Sequence, residues 1–315
     1  MSEQSNLYGL LTYRGTNELV GQVMAGIIHD KVRFEHPVME ELHSGGFSAV
    51  DMHFHTSHSD GLVSVRNSLK KALTHGFGLS ITDHNHISGV REAVGLDSGV
   101  MIIPGIEVSA SDGPHILIYF YSAADLYDFH TRHIRDHIRK SPYLAITLDT
   151  RQVIERTEGY SCIRSAAHPY GYLVFNKGLQ KCIDCGVLES ELLPRFDALE
   201  VVCGSMPRSQ NLRAIDLARR HNTGITGGTD GHLLGDLGKV LTCARAGSCG
   251  EFLDAILKMQ NFIIGQEKSL FGKGIMGSLV ITKYLKYTIP SLAIHYEQNV
   301  PRIKKFMTNS LRKTK

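Results

Sequence analysis

The sequence predicts an α/β protein in which strands and helices alternate. From Phe47 onward, short apolar runs alternate with amphipathic segments, which is typical of α/β units around a parallel sheet. The chain has 315 residues, of which 42% are hydrophobic and 21% are charged. A chain of this length and composition can bury a sizeable core, so these values exclude a mainly disordered protein.

The first predicted strand has an apolar face and a polar face. Apolar and polar side chains alternate at a period of two from Val50 to His55, as in a strand with one ligand-bearing side. Ser64 can cap the helix that follows, and Gly76 can end it. This strand and helix are therefore predicted to form the first α/β unit.

Further strands are predicted along the chain, with helices between several of them. The clearest helix is Arg208–His221, in which apolar residues recur at helical spacing. With the first strand the total is seven, which is close to the number in a closed α/β barrel. The later strands are predicted at residues 78–82, 101–108, 115–121, 162–167, 198–202 and 223–227.

The run of predicted strands and helices divides the chain into three parts. Residues 1–46 are predicted to pack on the barrel as a lead-in, residues 47–264 to form the barrel, and residues 265–315 to form a basic helical extension. The extension has ten Lys or Arg and two Glu, so its formal net charge is +8, whereas that of the whole chain is +3. A basic end of this kind is compatible with nucleic acid or with peripheral contact to an anionic membrane, although a solvated, packing or oligomer-forming helix is the simpler interpretation.

Several classes of protein are not expected. We find no charge-free apolar stretch of 18 residues and no secretion signal at the N-terminus, so neither a transmembrane segment nor secretion is predicted. The six cysteines are irregularly spaced, which argues against a disulfide framework and favours a cytoplasmic location. Cys182 and Cys185 lack a second pair that would complete a zinc site, and we interpret them as ordinary thiols.

The chain has 17 histidines, and the position of some of them is informative. A polar segment contains His130, His133 and His137. We interpret these three as lying on the solvent-exposed face of a helix. By contrast, His53-x-His55 places two imidazoles on one side of a strand end, about 7 Å apart along the backbone, where both can reach one metal. Further polar groups lie at or beside predicted strand ends: Ser59-Asp60-Gly61, Thr82-Asp83-His84, Pro104-Gly105-Ile106-Glu107, His115, Ala167-His168-Pro169 and Gly228-Thr229-Asp230-Gly231-His232. Because strand ends converge in an α/β barrel, we expect one shared site.

This ordered set of motifs resembles the polymerase and histidinol phosphatase (PHP) superfamily of metal-dependent phosphoesterases. The similarity extends over roughly residues 48–245. It implies a distorted seven-stranded (β/α) barrel of the TIM type, here with N- and C-terminal extensions. It also implies a centre of two to three divalent Zn, Mn or Fe ions.

The resemblance implies a role for nine residues. One metal would be held by His53, His55, Glu107 and Asp230. A second would be held by Glu107, His115 and His168, so that Glu107 bridges the two. The third would be held by Asp60, His84 and His232.

The sequence departs from better-known members in two respects. Only 52 residues separate His115 from His168, a short segment that puts specificity for nucleotides in doubt. Asn85 stands where Asp is common, at a position close to the substrate or to the ligands.

The expected chemistry is hydrolysis of a phosphoester by a metal-bound water. Three divalent ions and three carboxylates leave a charge of about +3, which suits a phosphate dianion and a hydroxide. His58 and His86 are candidates for proton transfer to the leaving group on position alone. Asn85 and Arg164 are candidates for binding substrate, since a guanidinium pairs well with phosphate.

A small phosphorylated substrate, and hence a phosphomonoesterase, is the preferred interpretation. An exonuclease or nucleotide phosphoesterase is the alternative, because a basic extension and a phosphoesterase site together suit a polymer. An amidohydrolase is less favoured, since residues 104–109 contain no lysine that could bridge two metals. A metal-stabilised binding module is disfavoured by the complete set of nine ligands.

Overall fold

The computed structural model describes residues 31–171, 177–269, 274, 278 and 280–313, with side chains as far as Val300. Its strands are β1 (Val32–Arg33), β2 (Ser48–Phe54), β3 (Gly78–Ile81), β4 (Gly105–Ser109), β5 (His115–Phe120), β6 (Cys162–Ala166), β7 (Ala198–Cys203), β8 (Gly224–Gly228), β9 (Val240–Ala244) and β10 (Phe262–Gly265). The α-helices with described bounds are α1 (Met39–Ser44), α2 (Val65–His75), α3 (Ser88–Gly95), α4 (Ala123–Phe129), α5 (Thr150–Arg156), α6 (Leu179–Asp184), α7 (Arg208–His221), α8 (Cys249–Leu257) and α9 (Thr288–Lys313).

The described strands form two five-stranded sheets, so the α/β class is confirmed. Their orders are β1-β10-β9-β2-β3 and β4-β5-β6-β7-β8. The prediction of a parallel sheet is wrong in part, because β5 is antiparallel to both of its neighbours and β9 is antiparallel to β2 and β10. Only residues 110–114 join β4 to β5, and a parallel crossover needs a connection of about a dozen residues or more.

Isolated bridges link the edges of the two sheets. Leu79 pairs with Ile102 and His84 with Glu107, which brings the end of β3 beside β4. Phe54 pairs with Gly231, which brings the end of β2 beside the loop after β8. The pairing therefore defines two sheets that meet at strand ends, and the closed seven-stranded barrel stays a prediction.

Local sequence signals explain where the helices begin and end. The Ser64 hydroxyl accepts a hydrogen bond from the Asn67 amide at the start of α2, and Gly76 ends this helix in the left-handed conformation, as predicted. Asn222 ends α7 in the same way. The seven predicted strands are all present, with ends shifted by a few residues, whereas β1, β9 and β10 were not predicted.

The buried core lies on both faces of the central strands. Ile116 and Ile118 of β5 belong to the larger apolar cluster, whereas Leu117 and Tyr119 belong to a second cluster. Since alternate residues of a strand point to opposite faces, β5 is covered on both sides. A strand held in this way provides a rigid frame for the polar groups at its ends.

The N-terminal end of the described chain joins a sheet. Strand β1 pairs in parallel with β10, through Val32 with Ile263 and Arg33 with Ile264. The division into lead-in, barrel and extension stays a prediction. None of the helices in the described part of the chain combines the length and the apolar character needed to cross a bilayer.

The first half of α9 and the residues before it show an exposed apolar stripe. Five large side chains on it are 61–81% exposed: Ile281, Leu285, Ile289, Leu292 and Tyr296. The stripe is compatible with peripheral membrane contact, which stays a prediction, as does a cytoplasmic location.

Candidate metal centre

The structure brings together all nine residues that were predicted to be metal ligands. His53 lies on β2, Glu107 on β4 and His115 at the start of β5, and the others lie in the loops that follow strands. Every one of the nine side chains is buried. Beside His53, β8 can approach only because residue 228 is glycine, since a Cβ there would lie 2.4 Å from the His53 backbone nitrogen.

Four donor atoms converge at the first predicted metal position. His53 Nε2 lies 3.2 Å from His55 Nε2, and Glu107 Oε2 lies 3.4 Å from the first and 3.3 Å from the second. Asp230 Oδ1 lies 3.7 Å from His53 Nε2 and 3.3 Å from His55 Nε2. Four ligands at the usual bond length around a tetrahedral metal are separated by roughly 3.3 Å. Donor atoms of His53, His55 and Asp230 all lie within 4.8 Å of one another, so these three fit one divalent ion, and Glu107 Oε2 adjoins both imidazoles.

Glu107 is the centre of the cluster. Its Oε2 also lies 2.9 Å from His84 Nδ1, while its Oε1 accepts a hydrogen bond of 2.9 Å from His115 Nδ1 and lies 3.4 Å from His168 Nε2. Each carboxylate oxygen thus faces a different set of imidazoles. This arrangement is the one that a bridging carboxylate requires.

The third predicted set surrounds Asp60. His232 Nε2 lies 3.3 Å from Asp60 Oδ1, and His84 Nε2 lies 3.6 Å from Oδ2. His55 Nδ1 also approaches Oδ1, at 3.8 Å, so this imidazole borders two of the groups. In addition, the Tyr284 hydroxyl donates a hydrogen bond of 2.9 Å to Asp60 Oδ2.

The electrostatics of the cluster show histidines and carboxylates stabilising each other. Burial by itself lowers the pKa of His53, but Glu200, Glu107 and Asp230 raise this pKa well above its ordinary value. Burial opposes ionisation of Glu107, yet His84, His115 and His53 hold its pKa well below the usual range. Burial lowers the pKa of His115 to about 3 despite Glu107. His115 is therefore a neutral imidazole at physiological pH, the form that binds metals.

Buried atoms without partners support a metal in this cluster. In the described part of the chain, His115 Nε2 and His55 Nδ1 are buried and have no hydrogen-bond partner. Such atoms cost free energy unless a ligand satisfies them. Imidazole and carboxylate donors suit Zn, Mn and Fe, so the residues present fit divalent transition-metal ions.

Glu200 supports two of the predicted ligands, and the sequence analysis did not identify it. Its Oε1 accepts a hydrogen bond of 2.9 Å from His53 Nδ1, and its Oε2 accepts one of 2.7 Å from the His168 backbone amide. The first bond places the proton of the His53 ring on Nδ1. The lone pair of Nε2, which faces Glu107, is then available to bind a metal. The sequence signal that could have identified Glu200 is its position as the one acidic residue of the otherwise apolar strand β7.

Buried aspartates brace the loops that carry the ligands. Asp83 accepts hydrogen bonds from the Thr56 amide and hydroxyl and from the Ser59 hydroxyl, each at 2.7 Å. Asp51 accepts bonds from the Thr229 amide at 2.9 Å and hydroxyl at 2.7 Å, and burial raises its pKa to about 6. These contacts fix the residues that precede Asp60 and Asp230 in the two ligand loops.

Three residues at the site have unusual backbone conformations. Asn85, His168 and Asp230 have φ values of 56°, 28° and 45°. A positive φ is costly for residues other than glycine, and such strain concentrates at functional sites. His168 and Asp230 are themselves predicted ligands.

Two residues predicted to bind substrate have other partners. The Asn85 side chain accepts a bond from the Ser109 amide and donates one to the Pro142 carbonyl, so it joins two loops. The Arg164 guanidinium pairs with Asp197 through bonds of 2.8 and 3.0 Å. Asp197 directly precedes β7, at the strand end opposite the ligands, so the structure corrects the expectation that Arg164 reaches the site.

The two predicted proton-transfer residues lie beside the cluster. His58 pairs with Glu92 of α3 at 2.8 Å and is partly exposed. The His86 ring contacts the Tyr143 ring edge to face at 5.9 Å, and burial lowers its pKa. Neither is among the described residues that line the cavity over the cluster.

Two other interpretations from the sequence concern histidines and cysteines outside the site. His130 is buried rather than on a wet face, and its Nε2 donates a hydrogen bond of 3.1 Å to the Asn85 carbonyl. Cys182 is buried and Cys185 is half-buried, and both are thiols. Burial raises the pKa of Cys182 to about 12, so this thiol is unreactive.

A cavity of about 410 Å³ opens over the cluster and is lined by all of the predicted ligands except His53 and His55. Lys177 lines it, is buried, and donates a hydrogen bond of 3.1 Å to the Leu144 carbonyl. Burial lowers the pKa of this amine to about 8, although Glu107 opposes the shift. The amine therefore remains mostly protonated at neutral pH, close to the cluster. No sequence motif identified this residue.

Comparisons with known proteins agree with this geometry. A family model described as PHP-associated matches residues 208–261, a segment that contains Asp230 and His232. No curated protein sequence matches the chain significantly. The match of this family model confirms the resemblance to the PHP superfamily that the motifs indicate. In addition, three solved structures share the fold.

These three structures have low sequence identity to this chain. A two-domain protein containing a predicted PHP-like metal-dependent phosphoesterase, from Bacteroides vulgatus, has 16% identity and a TM-score of 0.51 over 74% of this chain and 68% of that chain. PsfC from Pseudomonas syringae has 16% identity and a TM-score of 0.51 over 75% and 98%. The lesion-specific endonuclease PfuEndoQ from Pyrococcus furiosus has 16% identity and a TM-score of 0.55 over 69% and 57%.

Proposed function

We propose that the protein is a metal-dependent phosphoesterase that hydrolyses phosphomonoesters. The observation that carries the proposal is that donor atoms of His53, His55 and Asp230 lie 3.2–3.7 Å apart, with Glu107 Oε2 within 3.4 Å of both imidazoles. The fold likeness and the PHP-associated match support the same class of enzyme.

The proposed centre has three metal positions. His53, His55, Glu107 and Asp230 would hold one ion; Glu107, His115 and His168 a second; and Asp60, His84 and His232 a third. Bound divalent ions supply activation of water and stabilisation of charge on the phosphoryl oxygens. We also infer that β2 to β8 enclose this centre as a distorted barrel, since bridges join the sheet edges beside it.

The protein's own side chains prepare the site. Glu200 orients His53, and Asp83 and Asp51 hold the ligand loops in place. Lys177 adds a buried cation to the cavity and can bind a phosphate oxygen, because its ammonium group has three donors and the structure shows one bond.

A panel of substrates tests the activity. Full-length protein reconstituted with Mn or Zn should release inorganic phosphate from monoesters, with little cleavage of internal diester bonds. A nuclease is the second candidate, favoured by the balance of +8 in residues 265–315. Endonucleolytic cleavage faster than monoester hydrolysis would reverse the order of the two. Amide hydrolysis without phosphate release would overturn both.

Replacing Lys177 with glutamine is expected to lower kcat/KM for monoesters by about tenfold to a hundredfold, because a charge-assisted contact to phosphate is lost. The matched control is Lys258→Gln, which removes a lysine that is 61% exposed. Steady-state kinetics of both metal-loaded variants provide the measurement. Equal kinetics for the two would exclude Lys177 from substrate binding.

Metal occupancy is expected to fall as the pH is lowered from 8 to 5. Neighbouring carboxylates raise the pKa of His53 in the metal-free protein, so protons compete with metal at this nitrogen, and the competition grows as the pH falls. Equilibrium dialysis followed by elemental analysis should find less than half of the metal retained at pH 5. Unchanged metal content would argue against the histidine ligands.

A further inference from the structure

The cavity over the candidate metal centre has two chemically different sides. Its floor is formed by the buried histidines and carboxylates of the cluster. The opposite wall includes the side chains of Tyr143, Leu144, Val280 and Tyr284, part of the largely exposed Ile281, and two polar residues, Ser291 and His295. A phosphate group suits the charged floor, whereas the organic group of the ester must contact the wall.

The wall depends on residues 280–298, which we call the roof segment. Its Ile294 is buried with Leu144 and Ala145, and Tyr284 packs against this cluster. The Ser291 hydroxyl lies 2.9 Å from the Ser141 hydroxyl. These contacts hold the wall in place.

Charged and amide groups of the roof segment also bind the body of the protein. Glu297 pairs with Arg139 at 2.7 Å, and Gln298 donates a hydrogen bond to the Ala110 carbonyl at 3.3 Å. The roof segment is thus attached to the loop after β4 and to the segment between α4 and α5. It is a structural part of the site rather than an independent appendage.

Two polar groups on this side of the cavity already have protein partners. The Tyr284 hydroxyl donates to Asp60, and the Ser291 hydroxyl contacts Ser141. The hydroxyls of a sugar or the edge of a base would therefore lose hydrogen bonds to water on entry, at about 1–3 kcal/mol for each unpaired group. An alkyl or plain aryl group loses none and buries apolar surface.

We propose that the cavity selects phosphomonoesters whose organic group is apolar, and that Val280 and Ile281 of the roof segment determine this specificity. The inference rests on the proposed phosphomonoesterase activity and names its substrate class. The volume of about 410 Å³ lies within the usual range for sites that bind small molecules.

The test compares kcat/KM for hexyl phosphate and phenyl phosphate with kcat/KM for glycerol 1-phosphate and AMP, using full-length protein loaded with Mn. The apolar esters should be favoured at least tenfold. The double variant Val280→Thr, Ile281→Thr keeps the branched shape but adds hydroxyls, and it should reduce this preference at least fivefold. The control is Leu285→Thr, Ile289→Thr on the exposed stripe, which should keep the preference of the unmodified protein.

The outcomes distinguish failure of the proposed substrate class from failure of the proposed phosphomonoesterase activity. If no monoester releases phosphate, the proposed function fails. If phosphate is released but glycerol 1-phosphate or AMP is used as well as the apolar esters, the substrate class is wrong while the function stands. If the Val280 and Ile281 variant keeps the full preference, the roof segment does not determine specificity.

Discussion

Glu107→Gln is expected to lower phosphomonoester hydrolysis by at least about a hundredfold, equivalent to roughly 2.7 kcal/mol of transition-state stabilisation. The carboxylate oxygens of Glu107 lie within 3.4 Å of nitrogen atoms on His53, His55, His84, His115 and His168. Glutamine keeps the size but removes the charge, so two proposed metal positions lose their shared anion at once. One oxygen also becomes an NH₂ group, which cannot bind a metal through a lone pair.

The measurement is kcat together with metal content, and circular dichroism verifies that the fold is retained. His58→Ala is the control, because His58 pairs with Glu92 and does not line the cavity. The loss of activity in His58→Ala should be much smaller than in Glu107→Gln, unless His58 is the proton donor. Near-normal turnover and metal content in Glu107→Gln would contradict the bridging role.

Removal of the metals is expected to reduce hydrolysis by at least about a thousandfold. Among the described residues, Ser291 lines the cavity on the roof segment, and Ser109, whose hydroxyl lies 3.3 Å from His84 Nδ1, does not line it, so the proposed chemistry depends on the ions. Dialysis against a chelator, followed by addition of Mn or Zn, should abolish and then restore phosphate release. Reconstituted protein should contain two to three ions per chain by elemental analysis.

Two results would contradict this dependence. Phosphate release that persists in protein shown to be metal-free would remove the proposed mechanism altogether. A metal content well below two per chain in active protein would remove the trinuclear arrangement but leave a simpler metal site. The control is the same chelator treatment of Glu107→Gln, which should have little further effect.

The sequence alone determined the strands and the polar groups at their ends. Period-two alternation and turn residues are local properties, so β2 to β8 could be placed within a few residues. The ordered motifs from His53 to His232 named nine buried residues; eight of them fall in the groups that could hold a metal, and His168 Nε2 lies 3.4 Å from Glu107 Oε1. The motifs could place these residues near one another because each motif lies at or beside a strand end.

Only the tertiary structure decided how the strands pair and which distant residues complete the site. Periodicity reports which faces are buried but not which strands are neighbours, so the antiparallel β5 and the two sheets were not predicted. Arg164 has a motif-like position four residues before His168, yet the long-range pair with Asp197 determines where its side chain lies. Glu200, Lys177 and Tyr284 belong to no motif. They reach the cluster because hydrogen bonds and packing between residues far apart in the chain place them there.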